Sequence, residues 1–142
     1  MSTEPRAIQK VGVIGAGTMG HGIAQVCAMA GCEVVLCDLD ADFVEKALGK
    51  VQANLKKGVE RGKVDAELAE SSLARLSGTT DHAIVADNAD LLIEAIPEKL
   101  KLKQDLFRSL AAHAPESVIF GTNTSSLSVG EIASAVPQPG NV

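Results

Sequence analysis

Apolar residues recur along the chain at two spacings. Short unbroken runs stand at VGVIG (11–15), EVVLCD (33–38), ADLLIEAI (89–96) and SVIFGTN (117–123). Runs of this length, bounded by glycine or polar residues and lacking alternation, predict strands buried on both faces. Ser77 to Thr80 is a weaker strand candidate. Elsewhere the apolar positions return every three or four residues. Met19, Ile23, Val26, Cys27 and Ala30 share one face of a helix from Thr18 to Ala30, which Gly31 stops. Val44, Leu48, Val51, Leu55 and Val59 do the same from Ala41 to about Arg61. Gly58 and Gly62 weaken that end, and a further helix begins at Asp65, so residues 41–76 form an αα-hairpin. A helix follows Pro97 through about Ala112, and a short serine-capped one spans Leu127 to Ala135.

Strands alternating with helices give a parallel sheet covered on both faces. The predicted fold is therefore α/β, a doubly wound parallel sheet of the Rossmann type, with a helical hairpin inserted after the second strand. Every strand then ends at one edge of the sheet, which is where such sheets bind ligands.

Composition narrows the function. A chain of 142 residues with 46% hydrophobic and 22% charged residues suits one globular domain. No apolar run approaches the roughly 20 residues that span a bilayer, and MSTEPRAIQK has no apolar leader segment, so neither membrane nor signal peptide is expected. Cys27, Cys32 and Cys37 fit neither a disulfide framework nor a zinc pattern, which makes the cytoplasm the expected compartment and predicts no metal. The net charge of −5 argues against a nucleic-acid partner. Between residues 46 and 63, however, six cations face Glu60 alone, a local basic stretch suited to one anionic ligand.

The sharpest motif is Gly15-Ala16-Gly17-Thr18-Met19-Gly20, set between the first strand and the first helix. In that context Gly15 permits the tight turn, Gly17 lets the backbone approach a pyrophosphate, and Gly20 lets the helix lie close on the strand. Thr18 and Met19 open the helix, whose free N–H groups and positive dipole end hold phosphate. Asp38 ends the second strand, eighteen residues after Gly20, where a carboxylate accepts the ribose hydroxyls of an adenosine and repels a 2′-phosphate. The expected cofactor is NAD, not NADP. His21 is read as a solvent or packing residue, and His82 and His113 as members of polar surface stretches with no carboxylate at catalytic spacing. EAIPEKLKLK (94–103) and GTNTSSLS (121–128) lie at strand ends and can face the cofactor. By pattern alone, Glu98 with Lys103 also reads as a helix ion pair, and Ser125 or Ser126 as a helix cap.

KVGVIGAGTMGHGIAQVCAMAGCEVVLCD, IEAIPEKLKLKQDLF and TNTSSLSVGEIA together resemble the N-terminal domain of L-3-hydroxyacyl-CoA dehydrogenases, the bacterial 3-hydroxybutyryl-CoA branch in particular. The resemblance runs from about Gln9 to the end. It implies reversible hydride transfer between NAD and an acyl-CoA substrate in fatty acid metabolism. It further implies that Ser125 holds the reacting oxygen and that Asn123 lies beside the nicotinamide. Ala95 and Ile96 would lie under the nicotinamide ribose, with Glu98 and Lys103 on the cofactor side. The hairpin gains a purpose as well. Lys50, Asn54, Lys57 and Arg61 form one helical stripe that would meet the CoA phosphates, although a solvated basic face accounts for the pattern equally well.

The family's catalytic histidine, its partner glutamate and the C-terminal helical domain have no counterpart in residues 1–142. The expectation is therefore an incomplete nucleotide-binding domain, inactive by itself, whose parent dimerises through that C-terminal domain. Two alternatives stay open: an NAD-dependent hydroxy-acid or sugar-acid dehydrogenase of the same superfamily, and a non-catalytic NAD-binding module.

Overall fold

A computed structural model describes residues 7–123, 129–137, 140 and 142. Five parallel strands, β1 (Lys10–Ile14), β2 (Glu33–Cys37), β3 (Leu76–Thr79), β4 (Leu91–Glu94) and β5 (Ile119–Thr122), stand in the order β3-β2-β1-β4-β5. The chain leaves β1 towards β2 and β3, then returns past β1 to β4 and β5. The strand ends of β1 and β4 thus mark the point where the winding reverses, the crevice in which sheets of this topology take ligands.

Among the described residues, α1 (Thr18–Met29), α2 (Ala41–Glu60), α3 (Ala66–Ala74), α4 (His82–Ala86) and α5 (Leu100–Ala111) connect the strands, and α6 (Val129–Ala133) follows β5. Alternate strand residues point to opposite layers. Val11, Val13, Val34 and Leu36 pack with Ala24 and Ala28 of α1 on one face. Val35, Cys37 and Leu92 pack with Val85, Phe107 and Leu110 on the other, where the Phe107 and Phe120 rings lie 5.0 Å apart. The hairpin has a small core of its own around Val51, Leu55 and Ala69.

Two expectations change. Helix α4 was not expected, because its five residues are too few to show a helical period; Asp81 caps it by accepting from the Ala83 N–H at 2.8 Å. The strand expected over 89–96 is confined to β4. Before it, Asn88 turns the chain at φ 56°, and after it the Glu94 side chain ties down the Ile96 N–H at 3.0 Å.

Candidate functional site

The turn after β1 shows what each glycine is for. Gly15 sits at φ +109°, and a Cβ on it would stand 2.5 Å from the Ala95 carbonyl oxygen. At Gly20 the constraint is harder, since a Cβ there would lie 1.5 Å from the Gly15 carbonyl oxygen. Gly17 differs from both: no protein atom lies within 4 Å of its Cβ position, and its backbone is extended at φ −76°. Among the described residues, nothing excludes a side chain at Gly17. It borders a cavity of about 840 Å³, so its backbone is open to a ligand there.

Helix α1 starts at this point with no side-chain cap and no acidic residue in its first turn. Helices α2, α3 and α4 are capped by Asp40, Asp65 and Asp81 respectively. The unpaired N–H groups of α1 therefore remain available to an anion at the cavity floor. Asp38 joins the turn from β2: its Oδ2 accepts from the Ala16 N–H at 2.8 Å and its Oδ1 from the Leu39 N–H at 2.6 Å. Each carboxylate oxygen keeps a second lone pair for a ribose hydroxyl. Beside it Leu39, 87% exposed, offers the cavity an apolar wall.

The cavity is lined further by Met19 of α1, and by Ala95, Ile96, Pro97, Leu102 and Asn123 from the β4–α5 and β5 ends. Glu98 and Lys103 do not line it. Lys103 is fully buried and donates to Glu94 at 2.7 Å and to the Asn123 carbonyl at 3.1 Å, and its ammonium lies 2.8 Å from Glu98. Burial works against this ammonium, but hydrogen bonds and charge from Glu94 and Glu98 outweigh it and hold its pKa above the ordinary lysine value.

The other expected residues fall as follows. Gly15, Gly17, Thr18, Met19, Asp38, Ala95, Ile96 and Asn123 all border the one cavity. Ser125 lies outside the described residues. Lys50, Asn54, Lys57 and Arg61 are exposed on and just after α2 and do not border the cavity; Asn54 donates to Gln25 of α1 at 3.2 Å. His21 places Nδ1 3.1 Å from the Gly17 carbonyl, and His113 is exposed. His82, expected in a polar surface stretch, instead borders the cavity, with its Nδ1 2.9 Å from the Ser109 hydroxyl. Sequence reasoning also passed over Leu39, Leu102 and Glu94. The first two read as ordinary apolar positions. Glu94 carried a signal, a lone carboxylate in a run of strand residues too apolar to leave it unpaired.

An open cradle over a helix N-terminus, flanked by a strand-end carboxylate at the switch point of a parallel sheet, defines a dinucleotide-binding domain. The family model for the 3-hydroxyacyl-CoA dehydrogenase NAD-binding domain matches residues 10–142, and the chain belongs to that family, with NAD as its cofactor. It is 45% identical over 136 residues to 3-hydroxyadipyl-CoA dehydrogenase of Escherichia coli K12, covering 95% of this chain and 28% of that protein. Mitochondrial hydroxyacyl-coenzyme A dehydrogenase of Rattus norvegicus is 45% identical over 133 residues, 90% of this chain and 42% of its own length. A crystal structure of 3-hydroxybutyryl-CoA dehydrogenase from E. coli K12 superposes with a TM-score of 0.91 at 43% identity, over 94% of this chain and 28% of that one. The chain thus spans less than half the length of these relatives. Among the described residues, no helix is long and apolar enough to cross a membrane.

Proposed function

We propose that residues 1–142 form the nucleotide-binding part of an enzyme that interconverts 3-hydroxyacyl-CoA and 3-oxoacyl-CoA in fatty acid metabolism, working as a homodimer in the cytoplasm. The observation that carries it is the single cavity that Gly15, Gly17, Thr18 and Asp38 border together at the start of α1. Gly15 to Gly20 hold the pyrophosphate on the α1 N-terminus, and Asp38 holds the adenosine ribose. The remaining half of the dinucleotide then lies towards Ala95, Ile96 and Asn123. Bound NAD supplies a hydride acceptor. Ser125, in the stretch that follows Asn123, binds the substrate oxygen, Glu98 and Lys103 support the cofactor side, and Lys50, Asn54, Lys57 and Arg61 meet the CoA phosphates.

No histidine of this chain is proposed as the base. His21 is engaged with the Gly17 carbonyl, His82 with Ser109, and His113 is solvent-exposed. The 142-residue chain should therefore bind NADH without oxidising it. NADH binding by titration, followed by NADH oxidation assays with acetoacetyl-CoA, tests both halves. Binding without turnover is expected. Robust turnover would show that the chain carries its own base, and absence of binding would overturn the cofactor assignment.

A further inference from the structure

Glu94 and Lys103 are the only charged side chains buried among the described residues, and both have 0% exposure. Glu94 ends β4. Its Oε1 accepts from Lys103 at 2.7 Å and from the Thr122 hydroxyl, and its Oε2 accepts from the Ile96 N–H at 3.0 Å. Its backbone carbonyl accepts from the Asn123 N–H at 3.1 Å, and Lys103 donates to the Asn123 carbonyl. One carboxylate therefore ties together the loop after β4, helix α5 and the end of β5. All three segments line the cavity: the loop after β4 through Ala95, Ile96 and Pro97, α5 through Leu102, and the end of β5 through Asn123.

The fold itself has little need of this pair. A buried ion pair is often no more stabilising than apolar side chains of the same volume, and Leu92, two residues earlier on the same face of β4, packs against the core without a charge. Directional hydrogen bonds do what apolar packing does not, which is to fix the distance between the Ile96 backbone and Asn123. With the pyrophosphate at Gly15–Gly20 and the adenosine at Asp38, the cofactor's nicotinamide half falls between those two residues.

We infer that Glu94 is a positioning residue for the nicotinamide half of the cofactor site: it holds Ile96, Lys103 and Asn123 in one arrangement without itself bordering the cavity. This rests on the assignment of NAD to the cavity. Binding of NADH and of ADP-ribose, which lacks the nicotinamide, by the 142-residue chain separates the possibilities. In Glu94→Gln, NADH affinity should fall by about tenfold and the fluorescence gain of bound NADH should shrink, while ADP-ribose binds within about twofold of the unsubstituted chain. Should Glu94→Gln fail to fold, Glu94→Gln combined with Lys103→Met leaves no unpaired buried charge, and the same selective loss is expected. Equal losses for both ligands would make Glu94 a purely structural residue and overturn the inference, as would unchanged NADH affinity. If the unsubstituted chain binds ADP-ribose but not NADH, the inference fails; if it binds neither, the cofactor assignment fails and the inference with it.

Discussion

Gly17 and Gly20 stand three residues apart and answer to different constraints. A methyl group at Gly20 would collide with the Gly15 carbonyl oxygen, a rigid backbone atom, so Gly20→Ala must displace α1 from β1. A methyl group at Gly17 meets only the open cavity. Gly17→Ala should lower thermal stability by no more than about 1 kcal/mol, the loss expected for alanine at a helix N-cap, and Gly20→Ala should lower it by about 2 kcal/mol or more. Gly17→Ala should still weaken NADH binding by about tenfold, because the added methyl occupies the path of the pyrophosphate. Calorimetric melting and NADH titration of the two variants check this, and a larger loss of stability at Gly17 would return that glycine to a structural role. At this scale the glycine turn and Asp38 were legible in the sequence because their motif is a local spacing between two strand ends, and the structure sets Gly15, Gly17 and Asp38 on one cavity. Glu94 stood out as a carboxylate in an apolar run, but what it does was not legible, because its partners Lys103, Thr122 and Asn123 meet it only through the fold. Lys103 was read towards the cofactor side and the structure buries it, a distinction that spacing along one helix does not carry.

Among the elements, the long ones were legible and the short ones were not. Helix α2 repeats its apolar spacing over 20 residues, whereas α4 has five residues and is held by a cap and by contact of Val85 and Ala86 with the core. Strand β3 showed only weakly because LSGT has little apolar character. It forms because it pairs with β2 and because Gly78 lets the Val44 side chain of α2 come within reach of the sheet. The hairpin illustrates the difference between position and role. The sequence placed Lys50, Asn54, Lys57 and Arg61 on one stripe, and the structure leaves all four exposed, away from the cavity. If that stripe meets the CoA phosphates, Lys57→Glu should weaken acetoacetyl-CoA binding several-fold at low ionic strength. The difference should close as salt shortens the screening length to about 8 Å at 0.15 M. The fold should not change, since an exposed helical substitution shifts stability by at most about 0.5 kcal/mol. Affinity measured across a salt series decides it, and a flat series with unchanged affinity would make the stripe an ordinary solvated face.

The molecule as a whole places its binding crevice directly over buried sheet, so cofactor and core are coupled. Cys37 is the last residue of β2, next to Asp38; it is fully buried, and its carbonyl accepts the Gly15 N–H at 2.8 Å. Burial pushes its thiol pKa from about 9 up to about 12, with the nearby charges of Asp38 and Asp81 adding to the effect. Because the folded-state value is the higher one, the folded chain holds this proton more tightly than the unfolded chain. The resulting stability is fully present below pH 9 and is lost as pH rises from there towards 12. The raised values of Cys27 and Lys103 act in the same direction, so the chain should lose stability in alkali. Near pH 8 the Cys37 thiol is both protonated and inaccessible, and a thiol reagent should reach it only when β2 opens. Opening of β2 removes Asp38 and the Gly15 contact together, and so dissolves the cofactor site. NADH at a hundred times its dissociation constant should then stabilise the closed state by about 2.7 kcal/mol and slow Cys37 labelling by about a hundredfold. Mass spectrometry of the labelled chain reads the rate at Cys37 separately from those at the partly exposed Cys27 and Cys32. A Cys37 rate indifferent to NADH would mean that β2 opens without disturbing the crevice, and that the turn and the strand beneath it are not one cooperative unit.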